Sequence, residues 1–524
     1  MAREQPTHRR WRVGAALLVI ALTIVASAVV RSPGFSEGGF ASHDVGGILY
    51  NAMLLKAGGL PYVDDIETKA PGTFYLATAL AGPEGRDIAL FQRWANLWAL
   101  LSLAATAAIG WRLWGPRAAA VAAVIYALHD AHLDSMDANY VTWAQLPGVI
   151  AALLGFMAHK TAPGRRRSAL WVAAGIACGV AVLCKRPAGV LLVWLLVCAA
   201  LSREGSGPRL LGYRLAWRPA ALVLVGCLFA HVPIVTQYAA RGELAALVDG
   251  YALNRWVGRY LVRRADVSAL VVAREGALAT LHFLALPLCL SLFAWLRAPD
   301  ARRRDEARSL WLWFALALLS ASVGGRFYKG YFLAVLPPLS LLAAAPWGLL
   351  GAAFQVGARR RLWTRVLMTP LVVALAARAC MQLHVERTGR ARSHDDGARK
   401  IGAHVRARTA EGDRVWFWGW HLWGAYAYSG RLSASRIYKS MGLLTPPNDD
   451  TWRTPAAKLR LDRDSPALPL LIDDLTARPP RYIVIGSTVP RDEFSELRAL
   501  LQRAYRRDRS IRVGRVEFWR LRSP

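Results

Sequence analysis

Cysteine and acid are the scarce ingredients of this chain. Six cysteines occur among 524 residues: Cys178, Cys184, Cys198, Cys227, Cys289 and Cys380. Most lie inside apolar segments and none stands at metal-ligand spacing, so they read as small buried hydrophobes. Asp and Glu number 35 against 66 Lys and Arg, a formal charge of +31. Such an excess suits a nucleic-acid binder when it gathers into one patch. Here it is scattered in short clusters between apolar segments: Arg9, Arg10 and Arg12; Arg112 and Arg117; Lys160 and Arg165–Arg167; Arg209, Arg214 and Arg218; Arg302–Arg304 and Arg308; Arg359–Arg361 and Arg365. Nucleic acid is therefore not an expected partner. No solenoid repeat is present. Most apolar interiors also lack acids, which counts against a transporter, where polar residues interrupt helices near the midplane.

Apolar sequence is abundant: 55% of residues are hydrophobic and 21 are tryptophan. About twenty apolar residues cross a bilayer as a helix. Windows of that kind recur near 12–30, 89–110, 117–128, 142–158, 168–184, 187–201, 219–238, 278–296, 309–323, 331–350 and 363–379. They predict a polytopic α-helical membrane protein with about eleven spans. The 117–128 window is short and spans only if its helix runs on to about Leu133. The first stretch, RRWRVGAALLVIALTIVASAVV, has a small-residue pattern at Ala26-Ser27-Ala28 and a twin arginine, as export signals do. The run is long and further spans follow, so it is expected to be an uncleaved first helix.

All six basic clusters fall on one side if the N-terminus is cytoplasmic. An odd number of spans then puts the C-terminus outside. The outer loops become 31–88, 129–141, 185–186, 239–277, 324–330 and everything after about 380. The tail changes character. DRVWFWG and RYIVIG read as buried strands, DEFSELRALLQRAY has helical spacing after Pro490, and VGRVEFWRL reads as a last strand. The expected organisation is a membrane domain over 1–380 and a small extracytoplasmic α/β domain over 381–524.

The outer loops carry the charges of interest. From Asp44, residues Ile48, Leu49, Ala52, Met53 and Leu55 recur at helical spacing, which suits a helix along the membrane surface. AGGLPY then turns the chain, and TKAPGTFYLATAL begins a second short helix with Pro71 near its start. Asp44 and Lys69 thus stand near two helix N-termini, where carboxylates and phosphates are favoured. On the residues alone, Asp44 is equally a helix cap worth about 1 kcal/mol or a base at the membrane surface. The loop HDAHLDSMDANYVTW offers Asp130, Asp134 and Asp137 with His129 and His132. A metal site is the minority reading, because no ligand set is complete within the loop. Arg255, Arg259, Arg263 and Arg264 alternate with Trp256 and Tyr260 in 239–277, as in a surface helix. The tryptophans of VWFWGWHLWGAYAYSGR, residues 415–431, suit packing better than sugar contact.

An acid just after the first span, a surface helix, then G-x-x-P-Y and K-x-P resembles the first outer loop of the GT-C glycosyltransferases. The branch in view is the dolichyl-phosphate-mannose protein mannosyltransferase and lipid A aminoarabinose transferase group. GVAVLCKRPAGVLL at 179–192 is similar to that group's G-x-A-x-x-x-K-x-P-A segment. GGRFYKGYFLAVLPPLSLLAA at 324–344 is similar to its R-F-Y-x-x-Y-x-L-x-x-x-P-x-L segment. The resemblance covers roughly 10–380.

The resemblance implies transfer of a hexosyl or pentosyl unit from a polyprenyl-phosphate carrier, usually with inversion, to a lipid, glycan or protein acceptor. It implies Asp44 as general base. Many relatives place a second acid directly after this one, whereas Val45 follows here. A further acid is expected in the next outer loop, Asp137 first and Asp134 second. The carrier phosphate is expected to meet Lys69, Lys185, Arg186, Arg326, Lys329 and Tyr331, since cations and donors stabilise a departing phosphate. On the residues alone, Lys185 and Arg186 also fit snorkelling beside headgroups, and Tyr328 and Tyr331 equally fit an aromatic belt. No cofactor is expected, and a divalent metal is not favoured. The rival readings are a flippase of lipid-linked sugars and a non-catalytic lipid binder. An Arg- and Ala-rich composition suits a GC-rich genome, and the expected location is a bacterial inner membrane.

Overall fold

The computed structural model describes residues 6–36, 42–202, 209–210, 213–253, 268–295, 301–349, 358–390, 395–440, 442–446 and 459–522. The chain is mostly helical. Six described helices are long and apolar enough to cross a membrane: Arg10–Val30, Ile88–Trp114, Tyr140–Lys160, Arg165–Cys184, Ala269–Leu292 and Lys329–Trp347. A broken pair, Trp217–Phe229 with Val232–Ala240, makes seven if it counts as one span. The protein is thus multi-pass, with fewer clear spans than the eleven expected. The shortfall has physical causes. Pro116–Asp130 has 15 residues, or about 22 Å of helix against a core of about 30 Å. Gly189–Ala200 is shorter still. Ala301–Ser322 and Ala358–Arg390 each begin in an arginine cluster.

Contacts divide the chain into two compact units. The first comprises 1–36, 95–233 and 269–391. Its core is aliphatic and aromatic, with Trp171, Trp194, Leu310, Phe332 and Leu339 among its most buried members. Small residues let its helices approach closely, as is common between membrane helices. A Cβ on Gly175 would lie 2.1 Å from the Val223 carbonyl oxygen, so Arg165–Cys184 and Trp217–Phe229 touch backbone to backbone there.

The second unit comprises 37–94, 234–268 and 392–524. Its mixed sheet realises the strand expectations. Val415–Trp418 pairs in parallel with Tyr482–Ile485, which pairs antiparallel with Glu517–Leu521. Tyr505–Arg507 adds a fourth strand antiparallel to the last. The helix Ser495–Ala504 covers one face through Leu497, Leu500 and Leu501. Trp416, Trp418 and Trp423 are almost fully buried, so these tryptophans are core. The helix His43–Lys56 belongs to this unit too, packing Tyr50 and Leu54 with Phe417, Tyr426 and Tyr438. Gly46 permits that packing: a Cβ there would lie 2.5 Å from the Gly424 nitrogen.

Candidate functional site

The first cluster of predicted site residues lies in the second unit. Ser42 enters the helix His43–Lys56 with extended backbone, and Asp44 follows in the first turn, half-buried. Ser42 therefore holds the cap position, and Asp44 is inside the helix at the end where its dipole favours negative charge. His43 lies beside it. Burial pushes its imidazole down to about 4, His421 adds to the lowering, and the Asp44 carboxylate opposes it. At neutral pH an uncharged imidazole thus neighbours the carboxylate.

Lys69 sits at the end of a loop with no regular ladder, just before the helix Gly72–Leu80 with Pro71 at its cap. The loop is held by side chains instead. Asp64 accepts from the Leu60 amide at 2.7 Å and Asp65 from the Tyr62 amide at 3.0 Å. Tyr62 has φ 66°, a left-handed backbone uncommon for a side chain of this size. Its hydroxyl donates to the Lys69 carbonyl at 2.5 Å. Glu67 is 1% exposed. Its Oε1 accepts from the amides of Thr68 at 2.6 Å and Lys69 at 2.9 Å. Its Oε2 accepts from the Tyr438 hydroxyl at 2.5 Å and from Asn51 Nδ2 at 3.2 Å. Lys439 forms an ion pair with Glu67 Oε1. Burial alone would raise the Glu67 pKa, but Lys439 and these hydrogen bonds outweigh it and hold the carboxyl below its usual range. Asp65, buried beside it, goes the other way: burial first and the Glu67 charge second raise it well above the usual range.

The remaining candidates lie in the first unit. Asp130 is fully buried and paired with Arg31 at 2.5 Å. Arg31 is 0% exposed and also donates to Ser135 Oγ at 2.5 Å, the Ser135 carbonyl at 2.9 Å and Asn96 Oδ1 at 3.2 Å. This network ties the end of the first helix to the loop after Pro116–Asp130. Asp134 has left-handed backbone, with φ 64°, and lies 3.0 Å from Lys329 Nζ. Lys329 also meets Glu386 Oε2 at 3.0 Å. The cation expected at phosphate and the second-choice acid are thus partners of each other. Asp137 is buried, with its amide donating to the Asp134 carbonyl at 3.1 Å. His132 is pushed down to about 4 by burial, with Lys329 adding to the effect.

Lys185 ends the helix Arg165–Cys184, and its Nζ lies 4.3 Å from the Tyr331 ring centre, a cation–π contact. Tyr331 meets Tyr328 edge to face at 5.4 Å. Arg186 opens the short 3-10 turn Arg186–Ala188. Arg326 is 6% exposed. The structure thus brings Lys185 to Tyr331 and Lys329 to Asp134. It places Asp44 and Lys69 in the same compact unit. The residues Arg255 to Arg264 of the 239–277 loop lie outside the described residues. Among the described residues, no group of three His, Cys, Asp or Glu is placed to hold a metal ion.

Sequence reasoning missed Glu67, Lys439, Glu386 and Arg31. A signal existed for Glu67, a buried acid two residues before Lys69. None existed for Lys439, which meets it across 372 residues of chain.

No family model matches the sequence, and no curated protein matches it. Solved structures do. The chain is similar to ArnT from Cupriavidus metallidurans bound to undecaprenyl phosphate, at 15% identity and TM-score 0.62, over 95% of this chain and 97% of that one. It is also similar to the oligosaccharyltransferase AglB from Archaeoglobus fulgidus in complex with an inhibitory peptide and a dolichol-phosphate, at 14% identity and TM-score 0.53, over 92% of this chain and 70% of that one. Over 95% of its length the chain thus shares the fold of ArnT, as its three outer-loop segments led one to expect.

Proposed function

We propose that the protein transfers a sugar from a polyprenyl-phosphate donor to an acceptor hydroxyl at the outer face of a bacterial inner membrane. The observation that carries the proposal is the likeness to an undecaprenyl-phosphate-bound transferase over nearly the whole of both chains. Asp44 is the general base. Its carboxylate takes the proton of the acceptor hydroxyl while that oxygen attacks the anomeric carbon from the face opposite the phosphate. The bond from the anomeric carbon to the phosphate oxygen breaks, and polyprenyl phosphate leaves with the electron pair, so configuration inverts. A base must come within hydrogen-bond reach of the proton it removes. Asp44 stands in the first turn of the helix His43–Lys56, half-buried beside His43, which supports this role.

Lys69 stabilises the charge that develops on the departing phosphate. Lys185, Arg186, Arg326 and Tyr331 are further contacts for that group. Lys329, whose ammonium already meets Asp134 and Glu386, would share it with the phosphate through its third hydrogen. Asp137 is the second acid of the reaction, ahead of Asp134, whose carboxylate is engaged with Lys329. The C-terminal domain lies outside the membrane, with the N-terminus in the cytoplasm.

The test is transfer in proteoliposomes carrying radiolabelled polyprenyl-phosphate sugars, with a membrane extract as acceptor source. Sugar transfer by the wild type supports the proposal. Labelled carrier crossing the bilayer without transfer supports a flippase and overturns it.

A further inference from the structure

We infer that Lys439, with Tyr438, is a positioning residue for Lys69: the C-terminal segment holds Glu67 as the acceptor that ties down the main chain of the Lys69 loop. The inference rests on the proposed role of Lys69 at the donor phosphate and assigns the tail a part in it.

Residues 66–70 lie in no helix or strand, so their amides must find partners outside a regular ladder. Glu67 is that partner for two consecutive ones, Thr68 and Lys69. It can serve the Thr68, Lys69, Lys439, Tyr438 and Asn51 donors together only while its carboxyl is ionised, because a protonated carboxyl gives up acceptor capacity for a donor hydrogen. A carboxylate buried to 1% exposure needs a counter-charge. Lys439 is that counter-charge and is itself 6% exposed. Its ammonium lies 5.3 Å from the Tyr438 ring centre and 5.8 Å from that of Trp423. Tyr438 is fixed in turn by stacking on Tyr50, with ring centres 3.9 Å apart and planes 13° from parallel. Asn51 donates both to Glu67 and to the Tyr438 oxygen, at 3.0 Å. The Ile66 amide donates to the Arg436 carbonyl at 2.8 Å, so residues 436–439 run beside 66–69 as a splint. Lys439 therefore acts on Lys69 through Glu67 and the backbone.

The experiment uses full-length protein in detergent, with undecaprenyl phosphate as the binding probe. Wild type, Lys439→Gln, Lys439→Arg and the double variant Glu67→Gln/Lys439→Gln are compared from pH 6 to 9. Amide exchange at Thr68 and Lys69 is followed in the same samples. Without the ammonium, burial shifts Glu67 towards its protonated form, and rising pH draws that proton off. Lys439→Gln is therefore expected to bind about tenfold more weakly at pH 7, about 1.4 kcal/mol and the scale of one hydrogen bond to a charged group, and to regain affinity towards pH 9. Its Thr68 and Lys69 amides exchange faster over the same range. Donor KM rises more than kcat falls, Lys439→Arg restores binding, and the double variant loses the pH dependence.

Wild-type affinity and pH profile in Lys439→Gln overturn the inference. So does a pH-independent loss with Thr68 and Lys69 exchange unchanged. Faster exchange in Lys439→Gln, in a protein whose wild type binds no lipid phosphate, upholds the splint and defeats the phosphate role of Lys69 instead.

Discussion

Two buried ion pairs sit next to predicted outer loops, and they are used differently. Arg31 directs its guanidinium onto Asp130, Ser135, Asn96 and Ser27, all within the first unit. That arrangement closes on itself and holds the carboxylate away from solvent. Glu67, paired with Lys439, directs its oxygens onto the backbone of the loop that carries Lys69. A buried charge of the first kind specifies how helices meet. One of the second kind specifies where a loop lies. The contrast shows why an acid in the right loop is not thereby a catalytic acid: the Asp130 carboxylate is fully buried and taken up by Arg31 and the Ala131 amide.

The comparison breaks most visibly at Asp44. Asp44→Asn is expected to lower transfer by about 10²–10⁴, the range for losing a general base, with the thermal midpoint unchanged. Asp130→Asn should do the reverse. It leaves Arg31 buried without its counter-ion, which costs about 3–5 kcal/mol, read as a lower melting temperature in detergent, while donor KM in the surviving protein stays at the wild-type value. Lys69→Met should raise donor KM by about 10-fold or more, as expected for losing one charged contact of about 1.5–3 kcal/mol, without moving the melting temperature.

The smallest effect is a pH dependence within the second unit. Burial lowers both His43, to about 4, and His421. Below about pH 6.5 the unfolded chain takes up protons that the folded unit refuses. Stability is therefore present in full above that pH and is lost as pH falls from about 6.5 towards 4. Melting temperatures across that window check it, and His43→Gln should flatten the slope.

Much of this was legible locally. The helix from His43 follows from apolar spacing, and the strands at Val415–Trp418 and Tyr482–Ile485 from short apolar runs bounded by polar residues. Tyr505–Arg507 was not, because a strand whose residues are mostly arginine carries no apolar alternation and is defined by its partner Glu517–Leu521. The helix ending at Arg390 outlasts the apolar window that ended near 379, because hydropathy stops where the polar surface begins while the backbone continues. Glu386 lies on that continuation, so its pairing with Lys329 escaped notice. Lys329 and Asp134 were each assigned a separate task because spacing identifies charge but not partner. Lys439 shares that problem in a stronger form: tertiary pairing across hundreds of residues has no local signature.

The most direct measurement is sugar transfer from labelled polyprenyl phosphate in proteoliposomes, wild type against Asp44→Asn, with carrier binding followed in both. The account predicts that Asp44→Asn binds carrier as the wild type does and fails to transfer. Equal transfer by both proteins would contradict it, leaving Asp44 as a first-turn helix charge and moving the base to Asp137.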